Sequence, residues 1–240
     1  IIVIDILVFF VFLFSFGLCY LLVPPVRRVS LFLGITDQPS NRKNHINIIS
    51  RAGGIAIFVS FLLAVLFAYF INRDNIFSAV QAQYTVFLIS IFAFFALGFI
   101  EDLLETSPFI RLIIQVALAV FIYSKGIAIS FIELPFSIPF FNNTLLEIPD
   151  LLSLLITILW IVGITNAFNW IDGLDGLASG VAFISALNIM LLNLVANDIP
   201  TAVLASALSS ACLGFIPENK FPAKLHMGDS GSYLLGISLA

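Results

Sequence analysis

Two carboxylates, Asp172 and Asp175, follow directly on an apolar run in the stretch Asn166-Ala-Phe-Asn-Trp-Ile-Asp-Gly-Leu-Asp-Gly-Leu-Ala-Ser-Gly180. At helical spacing i and i+3 they share a face, and Gly173, Gly176 and Gly180 leave the backbone open to close approach by a ligand or another helix. Asp172 as a helix N-cap accounts for one acid. It does not account for two of them beside Asn166, Asn169 and three glycines. Two more acidic groups stand at the edges of apolar runs. Gly98-Phe-Ile-Glu-Asp-Leu-Leu-Glu-Thr-Ser107 carries Glu101, Asp102 and Glu105, and His226-Met-Gly-Asp-Ser-Gly-Ser232 sets Asp229 between Gly228 and Gly231. An acid at the centre of a spanning helix costs about 2.5–3.5 kcal/mol, and less near an interface. Glu101, Asp102 and Glu105 together therefore point to a cation or a water-filled site, with a solvated helix end as the alternative, and the three clusters imply a shared site at the membrane surface.

Oxygen ligands of this kind suit Mg2+, or else Mn2+, and these ions in turn suit phosphate substrates. The two cysteines, Cys19 and Cys212, lie inside apolar runs and read as buried thiols rather than a zinc site or a disulfide. There is no Walker A sequence, no defensible Ser-His-Asp spacing and no dinucleotide glycine fingerprint. Nucleic-acid binding is unsupported, because the basic residues are few and adjoin the apolar runs. What remains is metal-assisted transfer of a phosphoryl or prenyl group between a water-soluble partner and a lipid.

The elements that must position these groups are set by composition. With 61% hydrophobic and 10% charged residues in 240, against roughly 25% charged in soluble domains, the chain is an all-α polytopic membrane protein, read as one integral membrane domain over 1–240. A span needs about 20 apolar residues, with roughly 17–25 acceptable. That criterion finds spans near 3–26, 53–71, 84–100, 109–124, 151–168, 177–196 and 201–216, and an eighth opening near 230. Arg27, Arg28, Arg42, Lys43, Arg51, Arg111, Lys220 and Lys224 fall on one side of these spans, and only Arg73 and Lys125 on the other. By the positive-inside rule the first side is cytoplasmic and the amino terminus lies outside. All three acidic clusters share the basic side. On the outer side, residues 127–149 combine β-branched residues with Pro135, Pro139 and Asn142-Asn143. They read as a small external β-hairpin, or else as an irregular loop on the bilayer surface. In loop 27–52, basic residues precede Gly53-Gly54 at a helix start, where backbone N–H groups and charge could grip a phosphate. The alternative is that they only fix topology. The chain opens on Ile and stops soon after Tyr233, which reads as a fragment.

Taken together, four motifs resemble those of the polyprenyl-phosphate N-acetylhexosamine-1-phosphate transferases. Asn166-Ala-Phe-Asn-Trp-Ile-Asp-Gly-Leu-Asp-Gly is similar to that family's NAxNxxDGxDG, and Met227-Gly-Asp-Ser-Gly-Ser to its MGDxGS. Gly98-Phe-Ile-Glu-Asp resembles its G-x-x-D-D element, and Arg42-Lys-x-His45 with Arg51-Ala-Gly-Gly54 its first cytoplasmic loop. The motifs run in the family's order from about residue 37 onward.

The resemblance implies an enzyme of the cell's inner (plasma) membrane with its active site on the cytoplasmic face, in which sugar 1-phosphate passes from a UDP-sugar to polyprenyl (undecaprenyl) phosphate and UMP is released. It implies Mg2+ held by Asn169 and Asp229. Asp102 with Glu101 would orient or deprotonate the lipid phosphate, and Asp172 and Asp175 would bind nucleotide or support the metal. Lys43, His45, Arg51 and Asn166 would contact substrate, and a homodimer is compatible with it. Glu101 stands where the family usually has aspartate, so a longer arm must reach the same point. The family's later histidine-rich loop and final helices have no counterpart in these 240 residues. The central motif differs from the NLTDGLDG of the phospho-N-acetylmuramoyl-pentapeptide branch and favours the branch that starts O-antigen, teichoic-acid or other surface glycans, with N-acetylglucosamine or a relative as the sugar. A UbiA-like prenyltransferase wants NDxxDxxxD, and Asp102-Leu-Leu-Glu105 lacks the Asn and the third acid. A CDP-alcohol phosphotransferase needs an Arg that Ala178-Ser179 does not supply. A cation transporter predicts acids near mid-bilayer on broken helices.

Overall fold

The computed structural model describes residues 2–37, 49–71, 81–104, 106–133 and 145–240. Among them the chain forms eight helices and two small sheets: α1 (Ile2–Leu33), β1 (Thr36–Asp37), β2 (Ile49–Ser50), α2 (Gly53–Ile71), α3 (Gln81–Leu104), α4 (Pro108–Ser124), β3 (Phe131–Glu133), β4 (Leu145–Glu147), α5 (Asp150–Ile171), α6 (Leu177–Val195), α7 (Ile199–Asn219) and α8 (Gly228–Leu239). Six of these, all but α4 and α8, are long and apolar enough to cross a membrane. The eight expected spans thus all appear as helices, although α4 has 17 residues and α8 has 12. The protein is an all-α polytopic membrane protein whose exposed Phe9, Phe70, Phe92, Phe109 and Leu159 give it an apolar outer surface.

Successive helices alternate in direction, so one end of the bundle gathers the carboxyl ends of α1, α3, α5 and α7 with the amino ends of α2, α4, α6 and α8. The inner helices are α7 and α8. Along α7 the sequence Ala-Val-Leu-Ala-Ser-Ala-Leu-Ser-Ser-Ala-Cys is buried without a break, because its small residues let neighbouring backbones approach closely. Ser206 donates to the carbonyl of Val8 at 3.0 Å and Ser15 to that of Ala207 at 2.7 Å, which locks α1 on α7. α8 packs on α2, α3 and α5 through glycines with no room for a side chain. A Cβ on Gly98 would collide with the Asp229 carbonyl, one on Gly54 with the Gly231 amide, and one on Gly236 with Thr165.

Three expectations change. α1 does not stop at residue 26; it runs through Pro24-Pro25 to Leu33, as helices packed among neighbours can. Arg27 bonds Glu218 at 3.5 Å, and Ser50 donates to Ser30 at 2.7 Å. Second, the loop after α1 is partly sheet: β1 and β2 pair antiparallel, with Thr36 opposite Ser50. Third, the amides of Gly53 and Gly54 are not offered to a phosphate, because they donate to the carbonyls of His226 and Met227 at 3.0 and 2.8 Å. The expected hairpin is present as β3 and β4, antiparallel with Phe131 opposite Glu147; its proline and asparagine residues 135, 139, 142 and 143 lie outside the described residues. So do Arg42, Lys43, His45, Arg73 and Glu105.

Candidate active site

The site is assembled around the amino end of α8. Gly228 enters that helix at φ +75, a backbone conformation open to glycine at little cost. A Cβ there would stand 2.8 Å from both carboxylate oxygens of Asp102. Those oxygens accept the first free amides of α8, from Asp229 at 2.8 Å and from Ser230 at 3.0 Å. Asp102 is thus an anion at a helix amino terminus, supplied by the last turn of α3. This close fit explains why glycine and carboxylate recur in both motifs.

The Asp229 carboxylate faces away from its own amide into a polar cluster. Asn169 Nδ2, from the last turn of α5, donates to Asp229 Oδ1 at 2.6 Å and to Ser232 Oγ at 3.1 Å. Arg111 Nη1, from the first turn of α4, lies 3.5 Å from Asp229 Oδ2 and 3.2 Å from Glu101 Oε1. Arg51, just before α2, approaches Asp229 Oδ1 at 3.9 Å. Glu101 is buried, and its other oxygen accepts both the backbone amide and the hydroxyl of Thr106. That clasp holds the turn from α3 into Pro108, the residue type that suits a first helical position, and so delivers Arg111 to the cluster.

Asp172 and Asp175 do not share a helical face. Asp172 closes α5 as its C-cap residue and Gly176, at φ +75, opens α6, so the two acids sit in the turn between helices and diverge. Asp172 belongs to the cluster. Burial pushes its carboxyl well above the usual range, the charges of Asp229 and Asp102 push the same way, and Arg51 and the Gly228 amide oppose them. Asp175 instead accepts the amide of Ala223 at 2.9 Å and lies 3.5 Å from His226 Nε2. It fastens the segment between α7 and α8, which is also tied by Asn219 to the Leu225 carbonyl at 3.0 Å and by Ser179 to Asn219 at 2.7 Å. Asn166 lies one turn deeper than Asn169 and donates to Gln115 Oε1 at 2.7 Å.

Of the residues singled out from the sequence, Glu101, Asp102, Asn169, Asp172, Asp229 and Arg51 thus come together, Asp175 and Asn166 flank them, and Lys43 and His45 lie outside the described residues. The sequence reading missed Arg111 as a site residue. It counted only as a topology charge, although it falls one turn after the Pro that restarts the helix. Glu101, Asp102, Asp172 and Asp229 outnumber Arg51 and Arg111, and that surplus of oxygen-borne negative charge is what a divalent cation neutralises. Among the described residues no three His, Cys, Asp or Glu side chains close on one point. The donors that fit Mg2+ are therefore mixed, the Asn169 amide with the Asp229 and Asp172 carboxylates. Beside them two guanidiniums face the same space, the arrangement that takes phosphate oxygens.

The model of Glycosyl transferase family 4 matches residues 84–240, a stretch that contains every cluster residue except Arg51. The chain is also similar to three named proteins. A Bacillus subtilis protein named "Probable undecaprenyl-phosphate N-acetylglucosaminyl 1-phosphate transferase" is 35% identical over 229 residues, covering 95% of this chain and 60% of the relative. The decaprenyl-phosphate N-acetylglucosaminephosphotransferase of Mycobacterium tuberculosis is 32% identical over 232 residues, covering 92% and 56%. The phospho-N-acetylmuramoyl-pentapeptide-transferase of Clostridioides difficile is 32% identical over 229 residues, covering 89% and 66%. The chain spans about 60% of the length of the first of these relatives and less of the second. Its matched motifs, its membrane helices and the carboxylates gathered at α8 agree on one conclusion: the chain belongs to glycosyl transferase family 4.

Proposed function

We propose that the protein transfers N-acetylhexosamine 1-phosphate, foremost N-acetylglucosamine 1-phosphate, from a UDP-sugar to undecaprenyl or another polyprenyl phosphate. The single observation that carries this is the convergence of carboxylates from α3, α5 and α8 with Arg51 and Arg111 at one end of a membrane bundle. The names of the Bacillus and Mycobacterium relatives support the same substrates. In the reaction an oxygen of the lipid phosphate attacks the β-phosphorus of the UDP-sugar. A new P–O bond joins the two phosphates, the bond from the β-phosphorus to the bridging oxygen breaks, and UMP departs with that oxygen and its electron pair.

Such a transfer asks the protein mainly for positioning and charge. Arg51 and Arg111 would hold diphosphate oxygens, and Glu101 would keep Arg111 turned to the site. Asn169 and Asp229, with Asp172 in support, would hold Mg2+. When bound, the ion supplies charge neutralisation on the diphosphate. Both Asp102 oxygens are engaged by α8 amides, so its part is first to fix the amino end of α8 and with it Asp229. It would take a proton from a protonated lipid phosphate only by giving up one of those bonds. Asp175 would act through the α7–α8 segment. Lys43 and His45 are assigned to substrate by their motif alone. Among the described residues Arg27, Arg28, Arg51, Arg111, Lys220 and Lys224 lie at the site end and Lys125 at the other, which supports a cytoplasmic site in the plasma membrane.

The test uses full-length protein in membranes with labelled UDP-N-acetylglucosamine, undecaprenyl phosphate and Mg2+. UMP and a labelled lipid diphosphate are expected, and both should disappear when the divalent cation is chelated. UDP-N-acetylmuramoyl-pentapeptide is run in parallel, given the name of the Clostridioides relative. No UMP from any UDP-sugar would sink the proposal.

A further inference from the structure

Beneath the charged cluster lies a polar group that the proposed reaction has not yet used. Gln115 is fully buried on α4, four residues and so about 6 Å along the helix from Arg111, on the same face. Asn166 on α5 stands three residues inward of Asn169. The pair is joined by one bond, Asn166 Nδ2 to Gln115 Oε1 at 2.7 Å, while Asn166 also donates to the Val162 carbonyl at 2.8 Å. Gln115 Nε2 has no hydrogen-bond partner among the described residues. A buried donor without an acceptor costs about 1–3 kcal/mol, and inside a bilayer no bulk water relieves it. The Asn166 bond fixes the Gln115 amide plane and leaves the two N–H groups without an acceptor among the described residues.

The two layers of this site differ in chemistry. The outer layer, with two guanidiniums and four carboxylates, meets the water-soluble reactant. The inner layer is neutral, holds only amides, and lies between helices whose outer surfaces expose Ile110, Ile113 and Leu159 to lipid. A reactant that carries its phosphate at the end of a prenyl tail approaches from that side and from below. We propose that Gln115, its amide oriented by Asn166, donates to a phosphate oxygen of the polyprenyl phosphate acceptor and holds it beneath the sugar nucleotide. This rests on the transferase reading and adds to it a binding residue specific to the lipid reactant.

The experiment measures steady-state kinetics of the full-length protein in nanodiscs, varying each substrate at saturating levels of the other, for wild type, Gln115→Met and Gln115→Glu. Loss of one hydrogen bond to a charged oxygen raises KM for polyprenyl phosphate about tenfold or more, while KM for the UDP-sugar stays within about twofold. Unchanged KM for the lipid in both variants overturns the proposal. So does loss of UDP-sugar binding in both, since the amide then serves packing alone. No UMP from wild type removes the transferase reading and this proposal with it, whereas normal wild-type turnover with an unaffected lipid KM removes only this one.

Discussion

Asp172 sits where four carboxylates outnumber two arginines, and its proton is the measure of that imbalance. Its carboxyl is held well above the ordinary aspartate value of 3.8 by burial first and by Asp229 and Asp102 next. The native state therefore binds this proton more tightly than the unfolded chain does. Stability from this group is fully present below about pH 4 and is lost as pH rises from there through the elevated native value. Without divalent cations, the unfolding temperature of wild type in detergent should accordingly fall as pH climbs through that window. Asp172→Asn cannot lose a proton there, so its curve should be shallower and its stability at neutral pH higher than wild type. Added Mg2+ should close that gap by stabilising wild type more than the variant. Parallel pH curves for the two proteins would show that the Asp172 carboxyl is not held above its ordinary range.

At the level of elements, α8 is held by what its neighbours lack. Gly98 lets the α3 backbone touch the Asp229 carbonyl, whereas Gly180, within α6, has nothing within 4 Å of where a Cβ would stand. Gly98→Ala should cost about 1–3 kcal/mol of stability, the usual range for overpacking, and should reduce turnover by pushing Asp229 away from Asn169 and Arg111. Gly180→Ala should be neutral or stabilising by up to about 1 kcal/mol, since it only improves helix propensity. Thermal unfolding of both variants decides the matter, and equal costs would contradict the packing described. The same pair shows what was legible in the sequence. Apolar run length located all eight helices, and the acidic motifs located Asp102, Asn169, Asp172 and Asp229, because both signals are local. Which glycines make close contacts was not legible, since Gly98 and Gly180 differ only in what another helix brings to them. Arg111 and Gln115 were missed for that reason too: each gains its meaning from α3, α5 or α8, far away in the chain. The i and i+3 reading of Asp172 and Asp175 failed because the helix ends between them, where Gly173 and Gly176 build a turn.

For the whole molecule, the charges that surround the site also orient the bundle. Among the described residues, six basic ones at the site end face one, Lys125, at the end that carries β3 and β4. The proposed orientation, with the more basic end in the cytoplasm, would set the cluster beside the proposed sugar-nucleotide donor and the β-hairpin on the opposite surface. Cys19 and Cys212 are both buried, so a cysteine added at an exposed position should report without much background. Lys125→Cys in intact cells or spheroplasts should react with a membrane-impermeant maleimide. Lys224→Cys, exposed beside the site, should react only after the membrane is opened. The reverse pattern would put the carboxylates outside, out of reach of cytoplasmic UDP-sugar, and would remove the proposed donor while leaving the family assignment untouched. Labelling of both positions in sealed cells would instead break the helix alternation on which the shared site depends, because three crossings, by α5, α6 and α7, put residues 125 and 224 at opposite ends of the bundle.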